Sequence, residues 1–170
     1  MELNISGKNK VMSNVDALNY SFYMEIAIEE AKKAYLEDEV PVGAVVITED
    51  GDVVARAHNK SISTNDPTAH AEILAIREAG RKLSNYRLTN CLLICTLEPC
   101  IMCMGALIYA RIKGLIFGTR DPKAGAVYSK IDFFSEITWA NHKFWIEEGI
   151  LADRCSNLLK NFFKNKRKNF

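Results

Sequence analysis

The 170-residue sequence predicts a single α/β domain, a mixed sheet with helices on both faces. Three observations predict it. After an opening pair of apolar, β-branched runs, strand-like and helix-like segments alternate to the end of the chain. The length suits one domain, and a chain of this size buries roughly 70% of the surface it would expose unfolded, enough for a core without disulfides. The composition is 48% hydrophobic and 25% charged with 4 Pro and 9 Gly, which excludes disordered, collagen-like and fibrous classes.

Residues 1–20 are polar and aperiodic and read as a flexible N-terminal extension. From Ser21 to Asp38 a helical period sets in, with Tyr23, Met24, Ala27, Ile28, Ala31, Ala34 and Tyr35 on one face. Val42–Thr48 and Val53–Ala57 are strand-like, and the EDGD between them reads as a turn, so they pair as a hairpin. In SISTNDPT, Asp66 is placed as a helix cap and Pro67 as the first helical residue of a helix running to about Leu83. Cys91–Leu97 is a short apolar strand. Pro99 suits the start of a helix that continues through CIMCMGALIYA to Ala110, and Gly114–Gly118 is the next strand. Arg120–Ala140 is a long connection with a short helix near Ile131–Phe134, and Lys143–Glu147 is a candidate fifth strand. Leu151, Cys155, Leu158, Leu159 and Phe162 define a last amphipathic helix. In such a fold ligands sit beyond the carboxyl ends of strands, where helices begin.

No apolar run approaches the roughly 18 residues of a membrane span. The N-terminus has neither the apolar stretch of a signal peptide nor the Arg of a transit peptide. The five cysteines, an odd number without an export signal, point to a reducing cytoplasm and leave thiols for a metal. The net charge of +1 conceals an asymmetry. The tail KNFFKNKRKNF holds Lys160, Lys164, Lys166, Arg167 and Lys168 and no acid, so the rest of the chain is net acidic. A basic tail on an acidic body suits a nucleic-acid contact, and a solvated helix end explains the same charge.

Two segments carry the chemistry: His70-Ala71-Glu72 and Pro99-Cys100-Ile101-Met102-Cys103. Histidine and thiolate are zinc ligands, and three protein ligands with a fourth position open mark a catalytic site rather than a structural one. Cys100 and Cys103, three apart, share a helix face. The chain between His70 and Cys100 is long enough for a helix, a return and a strand, so the two helix starts can meet. Each start presents unpaired N–H groups and a partial positive charge, which lowers the pKa of a thiol there, and only the thiolate binds metal. His70 and Glu72, two apart, would point to opposite sides in mid-helix and converge only near a helix start. Glu72 is surplus to holding a metal. Zinc brings the pKa of a bound water from about 15.7 to roughly 7, and a carboxylate beside it can take that proton and hand it on.

The pattern H-x-E…P-C-x-x-C is the signature of the zinc nucleobase deaminases. Together with it, HNKSISTNDPTAHAEILAIREAG, NYRL, TLEPCIMCMGALIYARI, FGTRDPKAG and EGILADRC resemble the bacterial tRNA-specific adenosine deaminases, from about Ser21 to Arg167. The resemblance implies the cytidine-deaminase-like fold, a three-layer α/β/α sandwich around a mixed five-stranded sheet, with residues 21–170 as one zinc deaminase domain. It implies one Zn2+ per subunit held by His70, Cys100 and Cys103, with Glu72 as the proton shuttle. It implies Asn59 and the backbone N–H of Ala71 as contacts to the base, and Asp121 beside the ribose of a neighbouring nucleotide. Phe162 and Phe163, with the basic residues after them, match a helix that touches the tRNA anticodon loop. The reaction implied is hydrolysis of adenosine to inosine at the first (wobble) anticodon position, with release of ammonia, by a homodimer whose RNA sites draw on both subunits. The stretch YSKIDFFSEITWANHKFWI departs from the family's pattern, and no contact is assigned there.

Other residues have plainer readings. Cys91 and Cys95, four apart on a strand, and Cys155, on an apolar stripe, read as small buried hydrophobes. His58 reads as a structural histidine beside Asn59, and His142 as a solvated loop residue. Asn59 alone would be a turn residue, and Asp121-Pro122 a common turn pair. Of the adjacent Phe162 and Phe163, one should pack inward. The helix Cys100–Ala110 carries Ile101, Met102, Met104, Leu107, Ile108 and Tyr109, more apolar surface than one buried face needs, so part of it is expected to meet a second subunit. Two rivals stand at this point: a deaminase of a free base such as guanine or cytosine, and a zinc-stabilised RNA-binding protein. The second has no use for Glu72 and should supply a fourth protein ligand.

Overall fold

The structure, a computed structural model, describes residues 18–168. Most of the expected N-terminal extension, residues 1–17, lies outside the described residues. The elements run α1 (Tyr20–Leu36), β1 (Gly43–Thr48), β2 (Val53–His58), α2 (Ala71–Leu83), β3 (Cys91–Leu97), α3 (Ile101–Ala110), β4 (Gly114–Thr119), α4 (Phe133–Glu136), β5 (Trp145–Glu148) and α5 (Ala152–Lys168). The five strands form one sheet in the order β2-β1-β3-β4-β5. β1 is antiparallel to β2 and β3, while β3, β4 and β5 are mutually parallel.

The inner strands β1, β3 and β4 are apolar on both faces, and their two-residue period divides them between two cores. Ala44, Val46, Leu93, Cys95, Leu115 and Phe117 point to one side, where Ala71, Ala75 and Ala79 of α2, Met104, Leu107 and Ile108 of α3 and Phe133 of α4 cover them. Val45, Ile47, Leu92, Ile94 and Ile116 point to the other, beneath Met24, Ala27 and Ile28 of α1 and Cys155 of α5. This is the three-layer α/β/α arrangement with a mixed five-stranded sheet. Asn19 starts α1 by accepting the N–H of Phe22 at 3.2 Å. Gly43 lets α1 lie close to β1, since a Cβ there would stand 1.9 Å from the carbonyl oxygen of Ala27. Gly51 makes the hairpin turn at φ +96°, a conformation that favours glycine.

Several boundaries differ from the expectation. α2 begins at Ala71, not at Pro67, and its N-cap is His70. Asp66 is not the cap: its Oδ1 accepts the N–H of Thr68 at 2.8 Å and the Thr68 hydroxyl at 2.7 Å, closing a local turn. Pro99 likewise precedes α3, whose N-cap is Cys100. The short helix α4 sits two residues beyond the expected one, with the Glu136 carboxylate accepting the Asp132 N–H at 2.8 Å at its start. β5 also begins two residues late, because Trp145 is the first residue in register with β4, opposite Gly114. His142 is not a solvated residue: it is half-buried, with Nε2 2.7 Å from the Ile112 carbonyl oxygen.

Candidate metal centre and active site

Two helix starts meet at one end of the sheet. α2 is reached from the end of β2 through the 59–70 loop, and α3 follows directly from the carboxyl end of parallel strand β3. The N-caps of these helices are His70 (φ −76°, ψ 150°) and Cys100 (φ −76°, ψ 173°). A cap side chain ordinarily accepts a hydrogen bond from its own helix. Neither does so here. Both turn toward each other and toward Cys103, in the first turn of α3. Nδ1 of His70 lies 3.7 Å from Sγ of Cys100 and 3.6 Å from Sγ of Cys103. All three ligand atoms fall within 4.8 Å of one another, and they are the metal-type cluster found among the described residues.

These distances fit a zinc ion. Tetrahedral bonds of about 2.3 Å to sulfur and about 2.0 Å to nitrogen place the two ligand atoms about 3.5 Å apart. The protonation of the cluster fits as well. Cys100 is brought down to about 4, first by the hydrogen bond from the Cys103 thiol and then by His70, against the opposing effect of burial. Cys103 is pushed up by the same bond and by burial. The hydrogen bond with Cys100 raises His70 above its ordinary value, and the charge of Glu72 adds to this. A cation displacing these protons would find two thiolates and an imidazole nitrogen already converging.

Glu72, in the first turn of α2, is buried beside this cluster and is not part of it. Burial pushes its carboxyl up to about 7. Another Glu at this end of the sheet, Glu98, is buried with five protein donors around its carboxylate. No sequence argument singles it out. The available signal is an acid at the end of an apolar strand, which a solvated strand end explains equally well.

The remaining candidates fall into three places. Asn59 is nearly buried just beyond β2, and its Oδ1 accepts the N–H of Ala71 at 2.8 Å. The two residues expected to meet the base therefore bond to each other: Asn59 caps α2 in place of His70 and keeps its amide N–H2 for other use. His58 is not a ligand. Its two ring nitrogens face Glu30 at 2.8 Å and Glu37 at 3.1 Å, tying the end of β2 to α1. Asp121 lies in the loop after β4, half-buried, with Oδ1 accepting the Lys123 N–H at 2.9 Å. That loop and α5 form the walls of a groove of about 600 Å³, lined by Arg120, Asp121, Lys123, Phe163, Lys166 and Arg167 among others. Phe162 and Phe163 part as expected. Phe162 is buried edge-on against Tyr35, while Phe163 is 44% exposed with the Lys123 ammonium over its ring. Cys91, Cys95 and Cys155 are buried in the two cores.

The sequence pattern of the cytidine and deoxycytidylate deaminase zinc-binding region matches residues 18–119. The chain is 44% identical over 144 residues to the tRNA-specific adenosine deaminase of Haemophilus influenzae, covering 85% of this chain and 83% of that one. It is 43% identical to the tRNA-specific adenosine deaminase of Aquifex aeolicus, covering 87% of this chain and 96% of that one. A structure solved in a study of A-to-I editing by tRNA:A34 deaminases at the wobble position of transfer RNA superposes with a TM-score of 0.78 at 44% identity. That match covers 82% of this chain and 99% of the solved one. A guanine deaminase from Nitrosomonas europaea, 24% identical, superposes with a TM-score of 0.74 and shares the fold.

Proposed function

The chain belongs to the cytidine and deoxycytidylate deaminase family, among relatives that are tRNA-specific adenosine deaminases, and on that premise we propose its reaction: hydrolysis of adenosine to inosine at the wobble position of tRNA. Ammonia is the second product. The observation that carries this reading is Glu72, a buried carboxylate raised to about 7 beside three metal-type ligands that do not need it. A structural metal site would close with a fourth ligand. The family rules out the purely RNA-binding rival.

His70, Cys100 and Cys103 would hold one Zn2+ per subunit. When bound, zinc supplies an acidified water as nucleophile and a positive charge close to the reacting carbon. The rest of the chemistry falls to the chain. The target adenosine is flipped out of the anticodon loop, where unstacking costs less than in a duplex. Asn59, held through its Oδ1, offers its amide N–H2 to the base. The Glu72 carboxylate accepts the proton released by water as oxygen adds to carbon 6 of the purine. It delivers that proton to the ring nitrogen, where it stays, then takes the remaining proton from the hydroxyl on carbon 6 as the carbonyl forms and passes it to the departing amine. A carboxyl near 7 suits both halves of that task. Burial at the helix start keeps bulk water from competing for the proton.

Around this centre, Asp121 and Phe163 face the incoming RNA from the groove wall. Phe162 supports Phe163 from beneath, and the cations of α5 meet phosphates. The chain acts in the cytoplasm as a homodimer. Residues 21–170 form the one zinc deaminase domain, and residues 1–20 precede it as an extension. Among the described residues, no helix is long and apolar enough to cross a membrane. Incubation of the purified chain with an anticodon stem-loop RNA should convert its wobble adenosine to inosine, while free guanine, cytosine and adenine remain unchanged. Turnover of a free base with an inert stem-loop would reverse the assignment.

A further inference from the structure

Glu98 is 2% exposed, two residues before the ligand Cys100. A buried charge needs compensation, and here the compensation comes from a single loop. Oε1 accepts the backbone N–H groups of Val127 at 3.0 Å, Tyr128 at 2.7 Å and Ser129 at 2.9 Å. Oε2 accepts the N–H of Asp121 at 2.9 Å and the Ser129 hydroxyl. The loop is thus wrapped around one carboxylate, a nest of N–H groups with the anion supplied by the protein itself. The backbone is fastened at the same place: Ala126 N–H donates to the Pro99 carbonyl at 2.8 Å, and Gly125 bridges Cys100. Gly125 leaves room for the carboxylate, since a Cβ there would stand 2.4 Å from Glu98 Cδ and Oε2. At its other end the loop forms the groove wall, with Asp121 and Lys123 facing Phe163 and Arg167 of α5.

We propose that Glu98 is a positioning residue for RNA. Its carboxylate sets the loop 121–129 against the start of α3, so that Asp121 and Lys123 stand at a fixed distance from the metal centre. The inference rests on the tRNA reading above. Glu98 touches neither the metal cluster nor the route of the proton, so its contribution belongs to binding the RNA and not to the chemical step.

Three variants test it by different routes. Glu98→Gln keeps the volume but turns an N–H2 group onto backbone donors whichever way the amide is placed. Gly125→Ala leaves the carboxylate intact and displaces it sterically. Ser129→Ala removes one donor. Steady-state kinetics on the stem-loop RNA, with zinc per chain measured in parallel, should show KM raised about tenfold in the first two and less in the third, with kcat retained. Zinc content should stay at the wild-type value. An unchanged KM would overturn the proposal. So would zinc and kcat lost together in all three variants, which would make the nest part of the metal scaffold. A wild type inert on stem-loop RNA would overturn the tRNA reading and this inference with it, whereas an active wild type with indifferent variants overturns the inference alone.

Discussion

Glu72 and Glu98 are both buried acids at the same end of the sheet, yet their carboxyls move in opposite directions. Burial dominates at Glu72, and it rises to about 7. At Glu98 burial also pushes upward, but the Ser129 hydroxyl and the N–H groups of Tyr128, Ser129 and Asp121 together outweigh it and leave the carboxyl below its ordinary 4.5. The environment assigns one acid to carrying protons and the other to carrying charge. A carboxyl lowered on folding stabilises the folded state above its unfolded value, and that stability is lost as pH falls through the lower folded value. The wild type should therefore lose more unfolding free energy between neutral pH and about pH 3 than Glu98→Gln does. Urea titrations at a series of pH values measure this, and parallel losses would contradict it. The cluster of His70, Cys100 and Cys103 with Glu72 beside it was legible because its residues fall in two short segments of the sequence. Glu98 was not, because its partners come from residues 121–129 and only folding brings them to it.

At the scale of elements, most helices and strands could be read from hydrophobic period, and the two helix starts were misplaced for one reason. Asp66-Pro67 and Pro99 are strong start signals, but each helix begins later, after a residue of the metal-type cluster. His70 and Cys100 occupy the N-cap positions without capping, and Asn59 supplies the missing acceptor for α2 from another element. A pattern based on local propensity cannot see a cap that comes from the end of β2. The last helix was legible from its apolar stripe. Its basic end is only partly free: Lys166 pairs with Asp38 at 2.5 Å, while Lys164, Arg167 and Lys168 are exposed. Each phosphate contact made by these cations should contribute about 0.7 to the slope of log affinity against log salt for single-stranded RNA. Removing residues 164–170 should weaken stem-loop binding and flatten that slope, with the single-turnover rate at saturating RNA retained. Affinity measured across a salt series decides it: an unchanged slope would assign the tail to solvent, and a collapsed saturated rate would assign it to the active site.

At the scale of the whole molecule, the sheet order puts β3 in the middle, with parallel β4 beside it. The candidate metal centre therefore rests on buried strands, where α2 and α3 begin. Facing away from that core, α3 exposes Ile101 at 50% and Tyr109 at 76%, and Trp139 beside it is 75% exposed. Ile101 and Tyr109 are eight residues apart in one helix, so they stand about 2.2 turns apart and about 80° from each other round the axis, on one broad face. A second copy covering this face would sit next to the metal centre. Sedimentation at micromolar concentration should give a dimer, shifted toward monomer by Tyr109→Glu; a monomeric wild type would contradict this. The central claim is that the three ligands hold the metal and Glu72 moves the proton. Its most direct test is one preparation of Glu72→Ala, assayed for zinc by metal analysis and for inosine formed in a single turnover on stem-loop RNA. About one zinc per chain with no inosine is the predicted result. Loss of zinc, or inosine formed at the wild-type rate, would contradict it.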